Sequence, residues 1–362
     1  MKVDTLHIQM RFLIHCLLKE RKFLTFCTFT PDLNGSLGRM YSLLLVILPF
    51  FIMGQETKKS FFEPSDSIDS NRLYWASATA FVGYSSASIA LYHAWYKQFP
   101  RSRFQFFNDM REWRNVDKAG HLFASYFQSD YGYHIAKWTG LKKSDALWVA
   151  LATGGLFQTI IEIMDGFSAE WGFSIADFSA NLMGIGVFIG QEKLWDEQKI
   201  RIKFSISPQT YSRELISSQN GQATSSLYDR SRSLFGQSGI ERWLKDYNGH
   251  TYWMSLNIKS IFLQHQNTFP DWINLAIGYG ASNMFGGFRN TWQENGHTFS
   301  VSPLEFPRYS SVYLSPDIDL SRLNVKSQFF KTLLGALNIQ KIPAPAVEVT
   351  TRGQVFFHIL KL

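Results

Sequence analysis

Three groups of polar residues interrupt an apolar stretch of the chain at spacings that align side chains on a helix. They are Asp117, Lys118 and His121; Gln158, Glu162 and Asp165; and Ser174, Asp177 and Asn181. Separations of three or four residues place side chains on one helical face. Carboxylates beside a neutral imidazole can ligate a hard or borderline metal, pass protons as general acid and base, or hold a polar head group. On this reading His121 and Glu162 are the candidate acid/base pair, and Asp117 and Asp177 the orienting or metal-binding carboxylates. Asn181 is a hydrogen-bond donor, and Lys118, Gln158 and Asp165 complete the binding set. The sequence names no particular metal and no cofactor. An architectural role stands beside these chemistries: Asp117 and Asp177 as helix caps, Lys118 offsetting their charge, and His121 with Glu162 as a buried pair that fixes register.

Such chemistry needs elements that carry the three groups to one place. Long helices are expected over about 73–96, 117–138, 145–164 and 174–195, with Pro100 stopping the first, Gly140 capping the second, and Gly166 and Gly172 bracketing the last connection. In an up-and-down bundle the start of the second helix, the end of the third and the start of the fourth meet at one end, so the three polar faces converge. Each helix has about 20 residues or more, close to the ~30 Å needed to cross a bilayer. Gly154, Gly155, Gly184 and Gly186 can admit close helix contact. The loop at 97–118 is rich in Lys and Arg, in agreement with the positive-inside tendency, whereas 165–173 carries Asp165 and Glu170 and no basic residue. The expected fold class is therefore mainly α: a helical, membrane-embedded bundle of about four long helices, followed by a smaller β-containing region. A water-soluble bundle gives the same pattern, because buried helices imitate spans.

Beyond residue 199 the pattern changes. The run Ile200–Ile206 alternates with period two, and 252–259 and 273–279 do so less cleanly; seven of the eleven prolines also fall here. An outer-membrane barrel needs about eight or more strands of roughly 9–11 residues, and only about five shorter runs are legible, which speaks against one. The tripeptide Gly278-Tyr-Gly280 is a turn or bulge signal rather than a phosphate loop, and Gly83-Tyr-Ser85-Ser-Ala87 lies in an aromatic helix rather than at a nucleophile elbow. His93, His250, His265, His297 and His358 are isolated.

The chain has 362 residues, 45% apolar and 16% aromatic, with a formal charge of +7. This composition excludes a disordered chain. Six basic and three acidic residues precede position 40; without them 30 basic stand against 26 acidic, with no basic block, so nucleic acid is not an expected partner. Residues 39–54 combine a positive flank, a short apolar run and a terminal Gly54, the layout of a secretory signal or anchor. Both cysteines, Cys16 and Cys27, come before it, so a cleaved product carries no thiol. The expected organisation is a leader and signal over 1–54, a linker over 55–70, a helical domain over 71–199 and a β-containing, loop-rich region over 200–362.

The polar groups also carry a resemblance. The stretch Phe107-Asn-Asp-Met-Arg-Glu-Trp-Arg-Asn-Val-Asp117-Lys118-Ala-Gly-His121, then Gln158-Thr-Ile-Ile-Glu162-Ile-Met-Asp165-Gly-Phe-Ser168, then Trp171-Gly-Phe-Ser-Ile-Ala-Asp177-Phe-Ser-Ala-Asn181-Leu-Met-Gly184 resembles the YfiM-like family of envelope proteins. The order Asp-Lys-x-x-His, Glu, Asp-x-x-x-Asn is more distantly similar to VanZ-like membrane proteins. The resemblance covers about residues 71–200 and implies a helical envelope protein without an established reaction. YfiM-like proteins are often lipoproteins, and this chain lacks a convincing lipobox. The functional expectation is an exported protein, integral in a membrane with its C-terminal region facing the periplasm or else associated peripherally or with the outer membrane, whose polar site binds a lipid head group, a cell-wall precursor or a protein partner. The alternative is an enzyme acting on a lipid or cell-wall substrate.

Overall fold

The structure is a computed structural model that describes residues 60–97, 99–266 and 268–362. The signal segment at 39–54, both cysteines and residues 55–59 of the linker lie outside the described residues.

Four long helices follow the spacing of the apolar residues. Helix α1 spans Ser70–Leu91 and widens into a π-helical turn over Tyr92–Tyr96; its cap, Asp69, accepts the amides of Asn71 at 3.0 Å and Arg72 at 3.1 Å. Helices α2 (Val116–Trp138), α3 (Lys143–Gly166) and α4 (Ile175–Trp195) pack as a trio around Tyr126, Tyr133, Ala146, Ala150 and Phe188. Small residues set the approach. A Cβ at Gly154 would overlap the Ser129 hydroxyl of α2, and one at Gly184 would overlap the Leu122 carbonyl. Gly186 faces open space. Helix α1 contributes no buried residue and lies on the outside, tied by Tyr84 to the Thr153 carbonyl at 3.3 Å and by Arg72 to the Trp138 carbonyl at 3.1 Å.

The remainder is dominated by an antiparallel sheet. Its strands are β1 (Ile200–Ile206), β4 (His250–Asn257), β5 (Ile273–Ser282), β8 (Tyr309–Ile318), β9 (Ala344–Thr350) and β10 (Val355–Lys361), in that spatial order. Between them stand two small hairpins, β2 (Leu215–Ser217) with β3 (Thr224–Ser226) and β6 (Thr291–Glu294) with β7 (His297–Ser300). Short helices α5 (Leu227–Phe235), α6 (Gly239–Lys245), α7 (Ile258–Phe262) and α8 (Gln328–Leu337) complete the described chain.

The sheet curls on itself. Strands β4 and β5 separate β1 from β8, yet Lys203 of β1 and Asp317 of β8 are 2.8 Å apart, both fully buried. At the far edges, Ser207 beside β1 donates to the carbonyl of Leu362 beside β10 at 3.0 Å. Polar side chains line the inside around the buried Trp253, Ala276 and Tyr313: Ser255 donates to Asp317 at 2.6 Å, Asn274 to Ser255 at 2.9 Å, and Ser311 to Glu348 at 2.6 Å. The outside is apolar. Paired positions Ile202, Met254, Ile277, Leu314, Val347 and Phe357 form one outward row through all six strands. Helix α2 covers the β1–β4 end of this face, with the Phe123 ring 5.4 Å from that of Phe204 and 5.8 Å from that of Tyr252.

The expectation of a mainly α, membrane-embedded bundle of four long helices is therefore wrong. The described residues hold eight α-helices and a six-stranded sheet, and α3 is the only helix among them long and apolar enough, by length and composition, to cross a membrane. The runs at β1, β4 and β5 are the ones legible in the sequence; β8 and β9 escaped notice because of their composition. β8 reads Tyr-Ser-Ser-Val-Tyr-Leu-Ser-Pro-Asp-Ile, and Pro316 and its serines imitate a loop; Pro316 sits where the ladder to β9 has already ended. β9 contains Pro345 and is missed for the same reason.

Candidate functional site

The site begins with the entry to α2. Arg111, Trp113, Arg114 and Asn115 all have left-handed backbones, with φ of 74°, 45°, 51° and 63°. Each such conformation costs about 1–3 kcal/mol and persists only where its surroundings hold it. Here they do. The Trp113 amide donates to the Gly287 carbonyl at 2.9 Å, the Arg114 guanidinium to the Ser310 hydroxyl at 2.8 Å, and the Arg111 amide to the Asn115 side chain at 2.8 Å, while the Tyr279 hydroxyl donates to the Arg114 carbonyl. The segment before this turn runs over the α3–α4 connection, where the Gln105 amide donates to the Gly166 carbonyl at 2.9 Å. Asp109 is thereby delivered to the ends of all three packed helices.

Around it a charged cluster forms. The Lys118 ammonium lies 2.5 Å from Asp109, 2.9 Å from Asp117 and 3.1 Å from Asp177. Burial alone would lower the lysine pKa, but Asp117, Asp177 and Asp109 outweigh it and hold Lys118 protonated. Burial likewise works to raise Asp109, but its hydrogen bonds with Asp177, Lys118 and Ser174 keep it below the usual carboxylate range. Asp177 is pushed up, by burial first and by the shared hydrogen bond with Asp109 second, so the proton of this pair resides on Asp177. Ser174 caps α4 and donates its hydroxyl to Asp109 at 2.6 Å, while accepting the Asp177 amide at 2.9 Å.

One turn deeper, His121 Nδ1 lies 3.2 Å from the Asn181 side-chain oxygen and 3.6 Å from Glu162 Oε1, and its Nε2 lies 3.9 Å from Asp177 Oδ1. Burial, then the Lys118 charge, bring His121 down to about 4, so the ring is neutral at pH 7. Burial, then the neighbouring Asp165, push Glu162 up to about 8 against the pull of the Ser174 amide, which it accepts at 3.3 Å. Glu162 is 1% exposed, and its Oε1, together with Asn181 Nδ2, lacks a hydrogen-bond partner among the described residues. Asp165 stands slightly apart. It accepts the Tyr96 hydroxyl at 2.7 Å and is raised to about 7, chiefly by burial. Gln158 is buried on α3 one turn before Glu162.

The structure thus brings together Asp117, Lys118, His121, Glu162, Ser174, Asp177 and Asn181, with Asp165 and Gln158 at the margin. Reasoning from sequence missed Asp109, Glu112 and Tyr96. Asp109 and Glu112 lie in an irregular segment where helical spacing says nothing, although both fall within the quoted stretch that carries the resemblance. His121, Glu162 and Asp177 present one ligand atom each within 4.8 Å of one another, as do Asp109, Glu112 and Asp117. Either trio has the donor types of a cation site, but the Lys118 ammonium already contacts Asp109, Asp117 and Asp177, and a second cation beside it would be repelled.

The cluster opens into a cleft of about 810 Å³ between the 106–110 segment, α2 and α4. Its walls are apolar, with Phe106, Phe107, Met110, Leu122, Ile175 and Met183, and Asp109 and Lys118 supply charge on one side. Residues 105–189, which contain this cleft and cluster, match the family model described as predicted periplasmic lipoprotein (DUF2279). No curated protein and no solved structure matches the chain. The family match supports an exported protein of the cell envelope.

Proposed function

We propose that the α2–α3–α4 site binds the polar head of an amphiphile, a lipid or lipid-linked cell-wall precursor, whose apolar part lies in the adjoining cleft. The observation that carries this reading is the division of the cleft into apolar walls and a charged patch made by Asp109 and Lys118. The charge of Lys118 is already matched by the Asp109 and Asp117 carboxylates, with Asp177 a third acid in contact, so the site offers acceptors more than free cations. Head groups bearing hydroxyls suit it better than a bare phosphate or a second ammonium. The test is binding of dihexanoyl-phosphatidylglycerol below its micelle concentration, with dihexanoyl-phosphatidylethanolamine for comparison. Met183→Trp, which fills the cleft, should weaken binding about tenfold, a loss of about 1.4 kcal/mol. Equal binding by wild type and this variant would dismiss the reading.

A second reading is favoured by the pairing of Glu162, protonated at neutral pH, with a neutral His121. Such a pair can supply a general acid and a general base to a lipid or cell-wall substrate. Glu162→Gln separates the two. A binding protein keeps its ligand affinity and cellular phenotype with glutamine, whereas an enzyme keeps its fold and loses the phenotype entirely.

A further inference from the structure

We infer that the outer face of the curled sheet lies against the hydrocarbon of a phospholipid bilayer, an inference independent of the head-group site. In a water-soluble domain a sheet hides its apolar face and shows its polar one. Here the two are exchanged. Lys203, Asp317 and Lys341 are enclosed at 0–1% or 3% exposure, bonded to one another and to strand carbonyls, while Leu314 is 49%, Val312 50%, Phe357 70% and Ile359 78% exposed. Enclosing charges and presenting aliphatic side chains is favourable where the surrounding solvent is itself apolar.

The alternation is systematic. Cross-strand pairing continues the outward row from Ile202 to Phe357 without a break, and no outward position of the six strands carries Asp, Glu, Lys or Arg. A protein partner would be expected to meet an apolar patch with a polar, partly charged rim. The strands supply no such charge, and the apolar surface passes from the part covered by Phe123 of α2 on to β10. The backbone is met at one edge as well: at the free edge of β1 the Phe204 amide donates to the Ile339 carbonyl and the Lys341 amide to the Phe204 carbonyl, both at 2.9 Å.

The test places an environment-sensitive fluorophore on this face of the full chain, with Cys16 and Cys27 replaced by serine. The label is attached at L314C or, as a second position, V347C, and the protein is reconstituted in phosphatidylethanolamine–phosphatidylglycerol vesicles. Near-UV circular dichroism verifies the fold. A nitroxide on the lipid acyl chain should quench both labels several-fold more than aqueous iodide does. A label at L304C, in a loop and 91% exposed, should show the reverse. Because the readout is local, membrane attachment through residues 39–54 cannot produce it. Labels at L314C and V347C that respond to iodide like L304C would overturn the inference. Shielding from both quenchers, the signature of a second copy or another protein on this face, would overturn it equally.

Discussion

His121 Nδ1 stands 3.2 Å from the side-chain oxygen of Asn181, and this contact selects which edge of the imidazole can react. The ring is neutral, and the amide oxygen only accepts, so the network assigns the proton to Nδ1 and leaves the Nε2 lone pair toward Asp177. Asn181→Asp puts a carboxylate at the same place and stabilises the imidazolium. The His121 pKa, followed by NMR of the ring, should rise from about 4 by more than one unit. An unmoved titration would refute the assignment.

Lys118→Ala leaves Asp109, Asp117 and Asp177 facing one another without their shared cation. Removing one side of a buried ion cluster costs about 3–5 kcal/mol. The loss, measured by denaturant unfolding at pH 7, should shrink at pH 5, where protonation relieves the repulsion. A variant as stable as wild type at pH 7 would show that the cluster contributes no net cohesion.

The pH dependence of stability follows from Glu162 and His121 with opposite signs. Glu162 is held at about 8 against an ordinary 4.5, so the native state keeps a proton that the unfolded chain has released. Its contribution is complete below the ordinary value and is lost as pH rises toward about 8. His121, lowered to about 4 from 6.5, contributes above the ordinary value and loses that contribution as pH falls toward 4. Thermal unfolding between pH 5 and 9 should show stability declining on the alkaline side, and Glu162→Gln, a mimic of the protonated acid, should flatten that decline. An equally steep decline in the variant would place the responsible proton elsewhere.

Two glycines two residues apart should behave oppositely. Gly184→Ala drives a methyl into the Leu122 carbonyl and the Ser125 hydroxyl, forcing α2 and α4 apart at a cost of about 1–3 kcal/mol. Gly186→Ala meets nothing within 4 Å and should stabilise α4 by up to about 1 kcal/mol. Melting temperatures of the two variants check both signs, and similar shifts would contradict the close approach at Gly184.

What the sequence disclosed depended on periodicity. Asp117, His121, Glu162, Asp177 and Asn181 were legible because each lies on a regular helix, where spacing reports the face directly. Asp109 was not, because a left-handed turn carries it and no repeat describes that path. The short runs of β1, β4 and β5 could be read, but the size of the sheet could not. Its inward rows hold serines, asparagines and glycines, and prolines interrupt β8 and β9, so the usual contrast between a buried apolar and an exposed polar face is reversed and diluted. The signal for four spans had the same origin: apolar helices that pack on one another, and on the sheet, look alike from composition alone.

The turn at 111–115 joins two parts of the molecule through very little chain. Arg114 is fastened to Ser310 of β8 and Tyr279 of β5, and five residues earlier Asp109 grips Lys118. The path from the sheet to the Asp109 carboxylate therefore runs through the backbone of residues 109–114 and crosses no helix–helix contact, so the acid that Lys118 meets is positioned by a sheet in which Lys118 takes no part.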